Sequence, residues 1–152
     1  MELTTKLKGG FCEIATADNF DIQRFAEPSL TLENGAYLIT SAADLQTLAA
    51  YVNEGSNCAG LTFKLPQDLD LSGVTDWTPI GNSSKKYFSG TFDGGGFALK
   101  NLTVDTNADY VGLFGYIYKG TIKNLTLEKF SVTNNFDSAF ASTGALAGSA
   151  ET

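Results

Sequence analysis

The chain has 152 residues, of which 43% are hydrophobic and 16 are glycine, a formal net charge of −7 and no histidine. That length suits one domain with a core of its own, and the acidic charge repels a phosphate backbone, which excludes nucleic acid as a partner. Without histidine the commonest general base, the commonest metal ligand and every Ser-His or Cys-His nucleophile pair are gone, so neither a cofactor nor a metal is expected.

Residues 1–28 read as a leader or extension outside the rest. The Phe20–Ala26 stretch begins by alternating apolar and polar side chains, as a short strand does; a flexible leader, a linker and a strand donated to a neighbour all fit it. Met1–Gly10 is polar and Phe11–Ala15 is short and carries Glu13, so no basic-then-apolar signal peptide opens the sequence. No apolar run approaches the roughly 18 residues of a membrane span. Cys12 falls in this segment and Cys58 beyond it; a mutual disulfide, pairing between chains and free thiols all remain open.

Residues 29–60 read as a strand plus a capping helix. Ala36–Thr40 is a short apolar run after the Asn34-Gly35 turn signal. Ser41 with Asp44 three residues later is an acidic variant of the capping box. Leu45, Leu48, Ala49 and Val52 then form one apolar stripe at helical spacing, and Gly55 ends it. An amphipathic helix ahead of a strand-rich region covers the open end of a stack of strands.

Residues 61–152 read as strands and turns, with Leu61–Leu65, Leu69–Leu71 and the glycine turn Asp93-Gly94-Gly95-Gly96 in order. The three glycines leave room for positive φ and for close approach of a neighbouring turn of chain. Leu99-Lys100-Asn101-Leu102-Thr103-Val104 and Ile122-Lys123-Asn124-Leu125-Thr126-Leu127 match almost letter for letter at an offset of 124 − 101 = 23 residues. That offset lies within the range of one solenoid coil. It predicts Leu102 stacked on Leu125, Leu99 on Ile122, and Asn101 over Asn124 as an asparagine ladder. The fold class expected is mainly β: a right-handed parallel β-helix, or solenoid, with one N-terminal amphipathic capping helix; a piece cut from a longer solenoid and a short natural subunit both fit it.

Trp77-Thr78-Pro79-Ile80-Gly81, then Phe88–Gly94, then Asn101-Leu102, then Gly112-Leu113-Phe114-Gly115 resembles the recurring order of GLUG-motif proteins. The resemblance covers residues 36–148, with a degenerate second copy at Ala145-Leu146-Ala147-Gly148. It implies a parallel β-helix region of a bacterial surface protein, as in adhesins or the non-catalytic part of immunoglobulin A-cleaving metallopeptidases. The peptidase's zinc motif needs histidines, which this chain lacks.

The function expected is a non-catalytic structural or adhesive module, extracellular or on the cell surface, with a host glycan or protein as partner. Tyr110, Tyr116 and Tyr118 share one parity with Phe114, and an exposed row of that kind stacks on sugar rings or on a partner. A second reading is a self-assembling subunit, one copy's open end receiving another. A third is a carbohydrate-active enzyme, for which Asp68, Asp70, Asp93 and Asp105 are the carboxylates to weigh; such enzymes set a pair either side of a sugar.

Overall fold

A computed structural model describes residues 27–152. The leader reading of residues 1–28 and the strand-like Phe20–Ala26 stretch therefore lie almost wholly outside the described residues. The described chain is mainly β with one helix. Its elements begin with β1 (Thr31–Glu33), β2 (Ala36–Leu38), α1 (Ala42–Asn53), β3 (Thr62–Lys64) and β4 (Leu69–Asp70). They continue with β5 (Thr91–Asp93), β6 (Ala98–Lys100), β7 (Thr103–Thr106), β8 (Tyr110–Val111) and β9 (Phe114–Tyr118). The last five are β10 (Thr121–Lys123), β11 (Thr126–Glu128), β12 (Ser131–Asn134), β13 (Ser142–Thr143) and β14 (Ala147–Glu151).

The helix forms where its sequence pattern places it. Ser41 is the N-cap, its Oγ accepting from the Asp44 N–H at 3.2 Å, while the Asp44 carboxylate accepts from the Thr40 N–H at 2.9 Å. Leu45, Leu48, Ala49 and Val52 are buried, and Gly55, at φ 124°, turns the chain away.

Every strand pair except the β1–β2 hairpin is parallel. In the five-stranded sheet β10-β5-β3-β2-β1, one column runs Tyr37, Phe63, Phe92, Ile122. In β11-β6-β4 another runs Leu69, Leu99, Leu127. Val104 lies beside Val132 where β7 meets β12. The chain thus returns to the same lateral position after one circuit of 122 − 92 = 30 residues on the first face and 127 − 99 = 28 on the second. Because β2 pairs with β3, the expected boundary at residue 60 falls inside one continuous sheet.

This register differs from the one the matching hexapeptides predict. Leu99 lies beside Leu127 and Ile122 beside Phe92, so Leu99 does not sit on Ile122. Nor does Leu102 sit on Leu125: Ser131 donates to the Leu102 carbonyl at 2.9 Å, while a Cβ on Gly94 would lie 2.6 Å from the Leu125 Cα. Both hexapeptides are strand–corner–strand units, with Asn101 and Asn124 at the corner in positive φ (64° and 55°). Asparagine tolerates that conformation better than other non-glycine residues. They occupy different corners of successive circuits, and the 23-residue offset is one circuit short by one face.

Side chains pointing inward form one core. Phe63, Phe88, Phe92, Phe114, Leu99, Leu102 and Val104 are fully buried, each worth about 1.5–3 kcal/mol of transfer free energy. Trp77 is buried and its indole N–H donates to the Gly112 carbonyl at 3.1 Å, which makes it a core plug that ties one circuit to the next.

Candidate functional site

Each of the four carboxylates weighed as acid–base groups is engaged in holding circuits together. Asp68 accepts from the Ala98 N–H at 2.8 Å and pairs with Lys100 at 3.1 Å. Asp70 accepts from the Ser72 N–H at 2.9 Å and from the Asn101 amide at 3.1 Å. Asp93 accepts from the Gly95 N–H at 2.9 Å and from the Asn124 amide at 3.0 Å. Asp105 accepts from the Asn135 amide at 3.2 Å. Asn101 and Asn124 therefore do not ladder onto each other; each reaches back to an aspartate 31 residues earlier. A Lys or Asn that follows an Asp by about thirty residues was the signal available in the sequence, and the 23-residue match hid it.

These contacts set the electrostatics. Hydrogen bonds from the Ala98 N–H and from Lys100 hold the Asp68 carboxyl below the usual carboxylate range. The Ser72 N–H and the Asn101 amide do the same for Asp70, and the Asn124 amide with the Gly95 N–H for Asp93. Groups held as ionised acceptors are poor general acids at neutral pH. Lys100, bonded to Asp68 and 3.7 Å from Glu128, is shifted upward by those two carboxylates. Among the described residues no group of three or more His, Cys, Asp or Glu side chains could hold a metal ion.

The tyrosines divide differently from their expected parity. Phe114 points into the core against Phe88 and Phe92, at centroid distances of 5.1 and 5.8 Å. Ile117, three residues on, belongs to the same core cluster, so the inward–outward alternation shifts between Phe114 and Ile117. Tyr116 stays outside that cluster, 8% exposed, its ring edge-on to Tyr110 at 4.8 Å. Its hydroxyl is bonded to Glu151, which raises its pKa. Tyr118 is half-buried and lies edge-on to Tyr87 at 5.2 Å, with the Lys119 ammonium 5.3 Å from its ring centroid. The structure thus makes two tyrosine pairs, Tyr110–Tyr116 and Tyr87–Tyr118. Tyr87, which the sequence reading missed, lies one circuit before Tyr118 (118 − 87 = 31 residues).

Cys58 is a buried thiol, and desolvation pushes its pKa up to about 12. Cys12, with which a disulfide was one of three open readings, lies outside the described residues.

No protein-family profile matches the chain, and no solved structure matches it. In a match 107 residues long that covers 66% of this chain, it is 34% identical to halomucin of Haloquadratum walsbyi (strain DSM 16790 / HBSQ001). The matched part is 1% of halomucin, so this chain spans a very small fraction of that protein. No helix among the described residues is long and apolar enough to cross a membrane.

Proposed function

We propose that the chain is a non-catalytic, right-handed β-solenoid module of a surface or secreted protein, of the GLUG-motif kind, with an adhesive face at its tyrosine pairs. One observation carries the reading: the chain is 34% identical to a small part of halomucin, a protein many times its length, whose name is that of a mucin. The surface or secreted location rests on that name. The solenoid reading draws support from parallel pairing at a near-constant circuit of about 30 residues, which matches the repeat length of such folds. Right-handedness draws support from the β2–α1–β3 crossover between parallel neighbours, a connection that is right-handed in about 98% of cases. The non-catalytic reading draws support from the four aspartates, each engaged in a bond between or within circuits.

Tyr118, Tyr87 and Lys119 form the most accessible part of the adhesive face: two aromatic rings and a cation that can stack on a sugar or pair with an acidic partner. Binding of the purified chain to a glycan array and to host extracellular proteins, with Tyr118→Ala beside it, tests the reading. Retained binding by Tyr118→Ala moves the adhesive face elsewhere; turnover of any polysaccharide in the panel overturns the non-catalytic assignment. Antibody labelling of intact producing cells checks the location.

A further inference from the structure

Lysines on the strand faces have carboxylate neighbours within the stack. Lys64 and Lys123 lie either side of Asp93, and Lys100 lies between Asp70 and Glu128 and pairs with Asp68. Lys85, Lys86 and Lys119 are placed otherwise. All three are exposed, and among the described residues no carboxylate lies within ion-pair distance of them. On a chain of net charge −7 they make a local positive patch.

The fold holds that patch in place. Ser83 and Lys86 pair their backbones across a tight turn, where the Ser83 Oγ accepts from the Lys85 N–H at 3.3 Å and the Lys86 N–H at 3.1 Å. Phe88 then lies parallel beside Ile117, and both side chains enter the core. Their strand neighbours Tyr87 and Tyr118 therefore face outward, ring against ring at 5.2 Å, with the Lys119 ammonium 5.3 Å from the Tyr118 centroid. With Phe88 beside Ile117, Lys86 is level with Gly115, so Lys119 stands 119 − 115 = 4 residues further along, about 13 Å in the strand direction. The result is a strip: two lysines, two aromatic rings, a third lysine. It runs along the flank of the stack rather than across an end. Glu151, in register with Tyr118, is bonded to the Tyr116 hydroxyl.

We propose that this strip binds an extended acidic polysaccharide, a pyranose chain carrying carboxylate or sulfate groups. Its anions pair with Lys85, Lys86 and Lys119, and a sugar between them stacks on the Tyr87 and Tyr118 rings. The inference rests on the adhesive reading of the tyrosine face and names its ligand class. Charge alone suits an acidic peptide equally; two fixed rings between the charges favour sugars, whose C–H faces pack on aromatic faces. The acidic remainder of the chain repels such a polymer and so confines it to the strip.

The test titrates the full 152-residue chain with two matched pairs of polymers. Polygalacturonate against its methyl ester isolates carboxylate, and dextran sulfate against dextran isolates sulfate; poly-glutamate serves as the acidic peptide. At least one acidic polysaccharide is expected to bind about tenfold more tightly than its neutral partner, and to weaken as salt is raised. Lys85→Gln, Lys86→Gln and Lys119→Gln are each expected to weaken that binding about two- to fivefold, and Tyr118→Ala up to about tenfold, with circular dichroism confirming each fold. Equal binding of acidic and neutral partners, weakened by Tyr118→Ala but by none of the lysine changes, overturns this inference and leaves the adhesive face standing. Binding of poly-glutamate as tight as that of the polysaccharides, and indifferent to Tyr118→Ala, overturns it in favour of an acidic peptide. If no polymer binds, the inference and the adhesive reading fall together.

Discussion

Gly94→Ala tests the register most directly, because the residue has a neighbour only if circuits stack at the 30-residue offset. A Cβ built there lies 2.4 Å from the Asn124 carbonyl oxygen and 2.6 Å from the Leu125 Cα, both backbone atoms that cannot swing away. Relieving the contact requires β10 and its corner to move off by about 1 Å. That movement breaks the Gly94 N–H to Lys123 carbonyl bond (2.8 Å), the Gly96 N–H to Asn124 carbonyl bond (2.9 Å) and the Asn124 amide to Asp93 bond (3.0 Å). At about 1 kcal/mol net per bond, with overpacking added, the loss comes to about 3–5 kcal/mol, a large share of a domain's stability. Gly73→Ala is the control: nothing lies within 4 Å of its Cβ, and a change within about 0.5 kcal/mol is expected. Urea unfolding followed by circular dichroism reads both, provided the slopes agree. If Gly94→Ala cost no more than Gly73→Ala, Leu125 would not lie over the glycine turn and the register would be wrong.

Leu99→Ala should cost about 2–5 kcal/mol by the same assay, and Leu127→Ala, half-buried in the same column, clearly less; equal costs would contradict the difference in burial between them. Stability should fall in acid. Asp68, Asp70 and Asp93 have depressed folded pKa values, so the unfolded chain takes up protons first. Their contribution is complete above the ordinary carboxylate pKa of about 4 and disappears as pH drops through the folded values. A melting temperature that stays level from neutral pH into acid would refute those bonds, and Asp93→Asn should remove part of the slope. Cys58 should resist alkylation in the native protein at mildly alkaline pH and react in urea, read by mass spectrometry of its own peptide so that Cys12 does not interfere. Ready native alkylation would place the thiol outside the core.

What the sequence made legible follows from the range of each interaction. The helix was readable because its determinants lie within twelve residues: Ser41 and Asp44 at the cap, then four apolar side chains on one stripe. The glycine turn was readable for the same reason, Gly95 and Gly96 sitting at φ 64° and 86°. The strand content also followed from local pattern. The register was not readable, because it depends on which residues meet after thirty others have intervened. Two hexapeptides with the same local job, a strand turning a corner at an asparagine, look alike whether or not they share a corner. The parity of the tyrosines failed at a similar point: the alternation shifts between Phe114 and Ile117, and Gly115, whose Cβ would lie 2.2 Å from the Gly81 carbonyl oxygen, is held there by a neighbour from another circuit.

Charge explains why the 28–30-residue register wins over the 23-residue one. Sliding β10 so that Ile122 lay beside Leu99 would set Lys123 beside Lys100, two ammonium groups on adjacent strands. It would also strip Asp93 of Asn124. Like charges directly opposite on neighbouring strands are unfavourable by roughly the amount that unlike ones are favourable, up to about 1 kcal/mol. The observed register instead puts Lys123 beside Asp93, and Lys100 between Asp70 and Glu128. Apolar pairing alone would discriminate poorly, since leucine or isoleucine falls inward in either arrangement. The outward columns and the Asp–Asn bonds therefore select the register, and the inward columns supply the stability once it is selected. Glu128→Lys probes that division of labour: it leaves every inward side chain in place and sets a lysine beside Lys100. It should lower stability at low ionic strength and by less in high salt, whereas the Leu99→Ala loss should not shrink as salt is added.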